Sequence, residues 1–148
     1  MTIPSLNENG VLPEGIHTCT VEEIRARFGS FQSSEQRPRL MRRLEAFLAE
    51  VRASNIVRAV IVNGSFVTGK PAPNDIDLLL VLAAGHDFHV DLSPTQYRVV
   101  DSRRVRRTYG LDIVVVEDAS ADYAALVHLF HRVRLQPHLT KGILRVEL

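Results

Sequence analysis

The chain has a single cysteine, Cys19, among its 148 residues. No intramolecular disulfide and no multi-cysteine zinc site is open to it, so Cys19 reads as a small, buried or half-buried residue. Charge imbalance is missing too. The formal net charge is +1, so bulk charge argues neither for nor against a nucleic-acid partner. No apolar run approaches the length of a membrane span, and no membrane partner is expected. Residues 1–17 have no basic stretch leading into an apolar core, so no export leader is expected and the cytoplasm is the expected compartment. Internal repeats and low-complexity tracts are also absent. At this length and composition one domain is predicted. It should span residues 18–148, after an arm at 1–17 in which Pro4, Gly10, Pro13 and Gly15 predict a loosely packed lead-in.

The most informative stretch is 61–82, IVNGSFVTGKPAPNDIDLLLVL. The apolar run Ala59, Val60, Ile61 and Val62 ends in Gly64-Ser65. A short loop with Pro71 and Pro73 follows, and a second apolar run opens with Asp75 and Asp77. The pattern predicts strand, loop and strand. Alternation in a strand aims Asp75 and Asp77 to one side while Ile76 and Leu78 enter the core. Asx residues also open strands as plain turn chemistry. Here, however, the glycine-serine turn and the acids are close in sequence. Its N–H groups and the Ser65 hydroxyl are suited to phosphate oxygens, and the paired acids to a hard divalent cation.

Around this centre the elements follow in order. Thr20 and Glu23 form a capping box for a short helix ending at Gly29. A longer helix is predicted to start near Ser34, with Leu40, Met41, Leu44, Phe47, Leu48 and Val51 on its apolar face. Arg37, Arg39, Arg42 and Arg43 lie mostly off that face and read as solvated. The first strand is expected at 56–62. Residues 83–93 read as a connecting strand or extended loop. His86, Asp87, His89 and Asp91 invite a zinc reading, which is set aside because no further histidine or cysteine follows at ligand spacing. Ser93, Pro94 and Gln96 start one helix running to about Thr108 and closed by Gly110. It carries Arg98, Arg103, Arg104, Arg106 and Arg107, and Arg103, Arg104 and Arg107 are candidates to contact phosphate. A strand at 111–117 carries Asp112 between Leu111 and Ile113. Ser120 caps a last helix packed through Ala121, Ala124, Ala125, Val127, Leu129, Phe130 and Val133, and residues 142–148 alternate as a closing strand.

Gly64-Ser65, then Asp75-Ile76-Asp77 after a short gap, then Asp112 between apolar residues of a later strand resemble the signature of the nucleotidyltransferase superfamily, the DNA polymerase beta-like group with its minimal and antibiotic nucleotidyltransferases. The likeness covers roughly residues 56–117. The LPEGIH lead-in, the GSFVTGKPAPNDID loop and the closing KGILRVEL are also similar to a set of short bacterial nucleotidyltransferase-like proteins, a likeness that brings no reaction with it. The superfamily resemblance implies an α/β (α+β) domain with a mixed central sheet flanked by helices. It further implies that Gly64 and Ser65 contact a nucleoside triphosphate, that Asp75 and Asp77 ligate two Mg2+ ions (Mn2+ serving in their place), and that Asp112 shares one metal and helps activate an acceptor hydroxyl. Two such ions about 3.5–4 Å apart would activate the hydroxyl and stabilise leaving pyrophosphate. The acceptor is left open between protein, nucleic acid and small molecule.

The sequence departs from that pattern in its loop. Pro71 and Pro73 argue against a long helix there and predict an extended flap, with Lys70 in reach of a triphosphate. Little chain remains to recognise an acceptor, so a protein partner or a homodimer is expected to help. Two other readings stand beside this one. Residues 64–70 spell GxxxxGK, but Pro71 stands where a phosphate-binding loop needs serine or threonine. The alternative from another class is a catalytically inactive nucleotidyltransferase fold serving as a binding or antitoxin-like regulatory module.

Overall fold

The structure, a computed structural model, describes residues 3–30, 35–133 and 136–148. It opens with a short strand, β1 (Ile16–Thr18), and α1 (Val21–Ile24), which runs on through a wider turn at Arg25–Gly29. The Thr20 capping box forms in full, Glu23 N donating to Thr20 Oγ1 and Thr20 N to Glu23 Oε1. Next come α2 (Gln36–Ser54) and β2 (Val57–Asn63). The start of α2 expected near Ser34 lies outside the described residues. A single 3-10 turn (Ser65–Val67) begins the flap, which leads to β3 (Asp77–Leu82). The chain continues through α3 (Pro94–Val100), α4 (Ser102–Tyr109), β4 (Asp112–Glu117) and α5 (Ala121–Phe130). It ends in β5 (Arg132–Val133), β6 (Gln136–Thr140) and β7 (Ile143–Glu147).

Five strands make one mixed sheet in the order β1-β7-β2-β3-β4, and β5 and β6 form a separate hairpin. The pairs β1–β7 and β3–β4 are parallel, while β7–β2 and β2–β3 are antiparallel. With its helices this is the expected α+β fold. One face carries Val60, Val62, Leu78, Leu80, Ile113, Leu144 and Val146 and is covered by the helices α1 to α4. The apolar face of α2 is buried as its spacing predicts, Leu44, Phe47, Leu48 and Val51 being fully so. The opposite face, with Ala59, Ile61, Leu79, Val81, Val116 and Ile143, packs against Val127, Tyr123, Leu126 and Phe130 of α5.

Several elements differ from expectation. The single helix predicted at 94–108 is two helices, because Asp101 leaves the helical region (φ −80°, ψ 97°) and caps α4 by accepting from Arg104 N. The last helix ends at Phe130, so Val133 lies in a hairpin strand. Of its expected packing residues only Val127 is buried, and Leu129 is 55 % exposed. Of the two forms open to 83–93, the structure shows the loop and not the strand, and Phe88 and Val90 stand out in solvent. The lead-in is packed where it was expected to be loose. Ile3 and Leu12 join the core, and Gly142 N donates to Leu12 O at 2.8 Å. Gly142 is required there, since a Cβ would lie 2.1 Å from Pro13 O.

Candidate functional site

At the end of the sheet where β3 and β4 begin lies a cavity of about 740 Å³. Gly64, Ser65, Lys70, Asp75 and Asp77, all singled out in the sequence, line it. Gly64 sits at φ 100°, and a Cβ there would come within 2.8 Å of Asp75 O and 3.1 Å of Asp77 N. Only glycine lets the turn pass this close to the acid-bearing segment. Asp75 lies just before β3, and its carboxylate Oδ1 accepts from Ser65 N at 3.0 Å and from the Ser65 hydroxyl. The same hydroxyl oxygen accepts from Asn74 N and Asp75 N. Ser65 is thus knotted to Asp75, and contact with a phosphate requires it to release one of these bonds.

Asp77 opens β3 and is the register partner of Asn63 on one side and Asp112 on the other. Strand alternation puts all three on the α5 face, in line across three strands. Asp112 is outside the cavity lining and pairs with Arg106 of α4, both side chains being largely exposed. The arginine that reaches this acid is therefore neither Arg103 nor Arg104 nor Arg107. Arg104 is held by Glu50 at 2.5 Å and 3.0 Å and lies over the Tyr109 ring. Its bonds hold the Glu50 carboxyl below its ordinary value, against the opposing pull of burial, with help from the Tyr109 hydroxyl. Among the described residues no three acids, histidines or cysteines stand grouped as a ready metal site. Asp75 is turned to Ser65 and Asp112 to Arg106, so both must turn to share an ion.

The donor set nonetheless suits a hard cation. Carboxylate oxygens dominate it, and Asn63, 4 % exposed, keeps its Oδ1 without a hydrogen bond among the described residues. Beside Asp77 in the register, that orphaned oxygen is of the type Mg2+ takes.

Besides Asn63, sequence reasoning missed two residues. Arg37, expected in solvent, is fully buried. Its Nη1 donates to Phe66 O at 2.6 Å and Phe28 O at 3.3 Å, and its Nη2 to Thr68 O and Lys70 O, each at 2.6 Å. Burial pulls its pKa down, but a guanidinium stays charged. Arg37 therefore holds the flap from beneath through its carbonyls. The signal for it was position: it lies a helical turn before Leu40 and Met41, at the edge of the apolar stripe. The other is Lys141, which lines the cavity just before β7. Burial lowers its pKa, while Asp77 and then Asp75 oppose that shift. Only the return of the chain to place β7 between β1 and β2 brings it here, so local pattern held no sign of it.

The rival readings also meet the geometry. No helix follows Lys70, as a phosphate-binding loop would need, and His86 stacks edge-on to Phe88 at 4.8 Å. No described helix is long and apolar enough to cross a membrane.

The model of a family of unknown function, DUF6932, matches residues 4–147. The chain belongs to that family. The match includes the lead-in, the flap and Lys141, and so the whole cavity wall. No curated protein and no solved structure matches the chain.

Proposed function

We propose that this DUF6932 member is a metal-dependent nucleotidyltransferase. It would move a nucleoside monophosphate from a nucleoside triphosphate to a hydroxyl acceptor and release pyrophosphate. The observation that carries the reading is the meeting of the Gly64-Ser65 turn with Asp75 and Asp77 in one cavity, with Asp112 in register beside Asp77.

In this reading the acceptor oxygen bonds to the α-phosphorus, the bond from that phosphorus to the bridging oxygen breaks, and the hydroxyl proton passes to Asp112. Asp75, Asp77 and Asp112, with Asn63 beside them, would hold Mg2+ or Mn2+, which would supply charge neutralisation for the phosphates and the leaving group. The turn and Lys70 orient the triphosphate, and Arg37 keeps the flap in place while they do so. A protein partner or a second copy supplies the acceptor surface that the small domain lacks.

The test is a thermal-shift screen of the four ribonucleoside triphosphates, with and without magnesium, on wild type and Asp77→Ala. A triphosphate at a hundredfold over its Kd should stabilise the fold by about 2.7 kcal/mol. The reading requires a shift that needs both magnesium and Asp77. A second reading, an inactive nucleotidyltransferase fold used as a binding module, draws on the prior engagement of Asp75 by Ser65 and of Asp112 by Arg106. It gains if no triphosphate shifts the wild type while a protein partner still binds after Asp75 and Asp77 are both changed to alanine.

A further inference from the structure

We infer that Lys141 is a movable counter-ion: it neutralises Asp75 and Asp77 before substrate binds, and turns to the phosphate chain when a divalent cation takes its place. The inference rests on the nucleotidyl-transfer reading and adds to it a phosphate-binding residue from outside the glycine-serine and acid motifs.

The argument begins with how Lys141 is mounted. Its backbone is fixed at both groups, N donating to His131 O at 2.8 Å and O lying 2.8 Å from His131 Nδ1. The next residue, Gly142, is tied to Leu12 and has no room for a side chain. The Lys141 Cα is therefore a rigid anchor, whereas the side chain is a flexible four-carbon stem with a point charge at its end. That stem enters the cavity lined by Asp75 and Asp77, and these are the acids whose charge acts on it. Lys70 lines the same cavity from the flap.

Charge balance supplies the exchange. Like-charged neighbours are stabilised by nearby positive charge, and Lys141 shares the cavity with Asp75 and Asp77, whose charge favours its ammonium. A dication arriving with its triphosphate satisfies the same acids more strongly and brings new negative charge into the cavity. The ammonium is then repelled by the dication and drawn to the phosphate oxygens, a move its stem permits without disturbing the backbone.

The exchange makes removal of Lys141 act in opposite directions on two ligands, which a purely structural role does not. Free Mn2+ binding is measured by electron paramagnetic resonance, and ATP binding in saturating Mn2+ by calorimetry. The proteins are wild type, Lys141→Met, Lys141→Gln and Lys141→Arg. Lys141→Met should bind free Mn2+ at least fivefold more tightly than wild type and ATP at least tenfold more weakly, while Lys141→Arg stays near wild type on both. If the methionine variant does not fold, as judged by circular dichroism, the glutamine variant decides on the same criteria. Mn2+ and ATP binding that depends on Asp77 but is unchanged by both neutral substitutions overturns the counter-ion role and leaves nucleotidyl transfer standing. Absence of both Mn2+ and ATP binding in every protein overturns nucleotidyl transfer, and the inference with it.

Discussion

The sheet's two faces are covered unequally. Under the α1 to α4 helices, Val60, Val62, Leu78, Leu80 and Leu144 are completely buried, and the side chains of α2 that meet them are too. Under α5, the helix buries Val127 alone, Leu126 and Phe130 are half-covered, and Val114 at the sheet edge is 45 % exposed. Asp77 and Asp112 belong to the α5 face, at the end where strands begin. The sheet side chains Ile61, Leu79, Val81 and Ile143 are completely buried there too, so the contrast lies in the covering helices, α2 burying a full stripe and α5 a single residue.

Substitutions should break or sharpen that contrast. The largest effect is expected for Arg37→Met, which leaves the carbonyls of Phe66, Thr68 and Lys70 without their donor. At about 1–3 kcal/mol for each stranded group, a loss of roughly 4 kcal/mol or more should appear in urea denaturation. Leu44→Ala on the sealed face should cost about 2–5 kcal/mol, again read from the urea midpoint. Val127→Ala, the nearest counterpart under α5, should cost only about 1–2 kcal/mol. Equal losses from Leu44→Ala and Val127→Ala would erase the contrast.

A smaller, pH-dependent effect is expected at Glu50. Its folded carboxyl lies below its ordinary value through the Arg104 bond. The stability it contributes is therefore present above that ordinary value and is lost as pH falls through the folded one. Wild type should exceed Glu50→Gln in melting temperature at neutral pH, with the gap closing in acid. Smallest of all should be Arg106→Ala, since an exposed ion pair contributes at most about 1 kcal/mol. Its melting temperature should stay within a few degrees of wild type.

The parts legible in the sequence were those governed by local rules. The Thr20, Ser93 and Ser120 caps, the α2 stripe and the strand-loop-strand around Gly64 and Asp77 each depend on residues close along the chain. Where the reading failed, distant parts of the chain decided. Arg37 looks like any surface arginine until the flap's carbonyls close over it. The lead-in's prolines and glycines suggested slack, but Leu12 and Gly142 lock together across the chain. Even the break at Asp101 was local only in hindsight, because an aspartate inside a helical pattern is also compatible with an unbroken helix. Of the candidate site, the turn, the acids and Lys70 were legible, and Lys141 was not.

The place of β7 in the sheet has a consequence for synthesis. It lies between β1 and β2, so β1 has no strand to pair with until residues 143–147 have left the ribosome. The cavity wall made by residues 9–11 and Lys141 closes only at that moment. A nascent chain can present the glycine-serine turn and all its acids early, yet the site is complete only once residues 141–147 reach it.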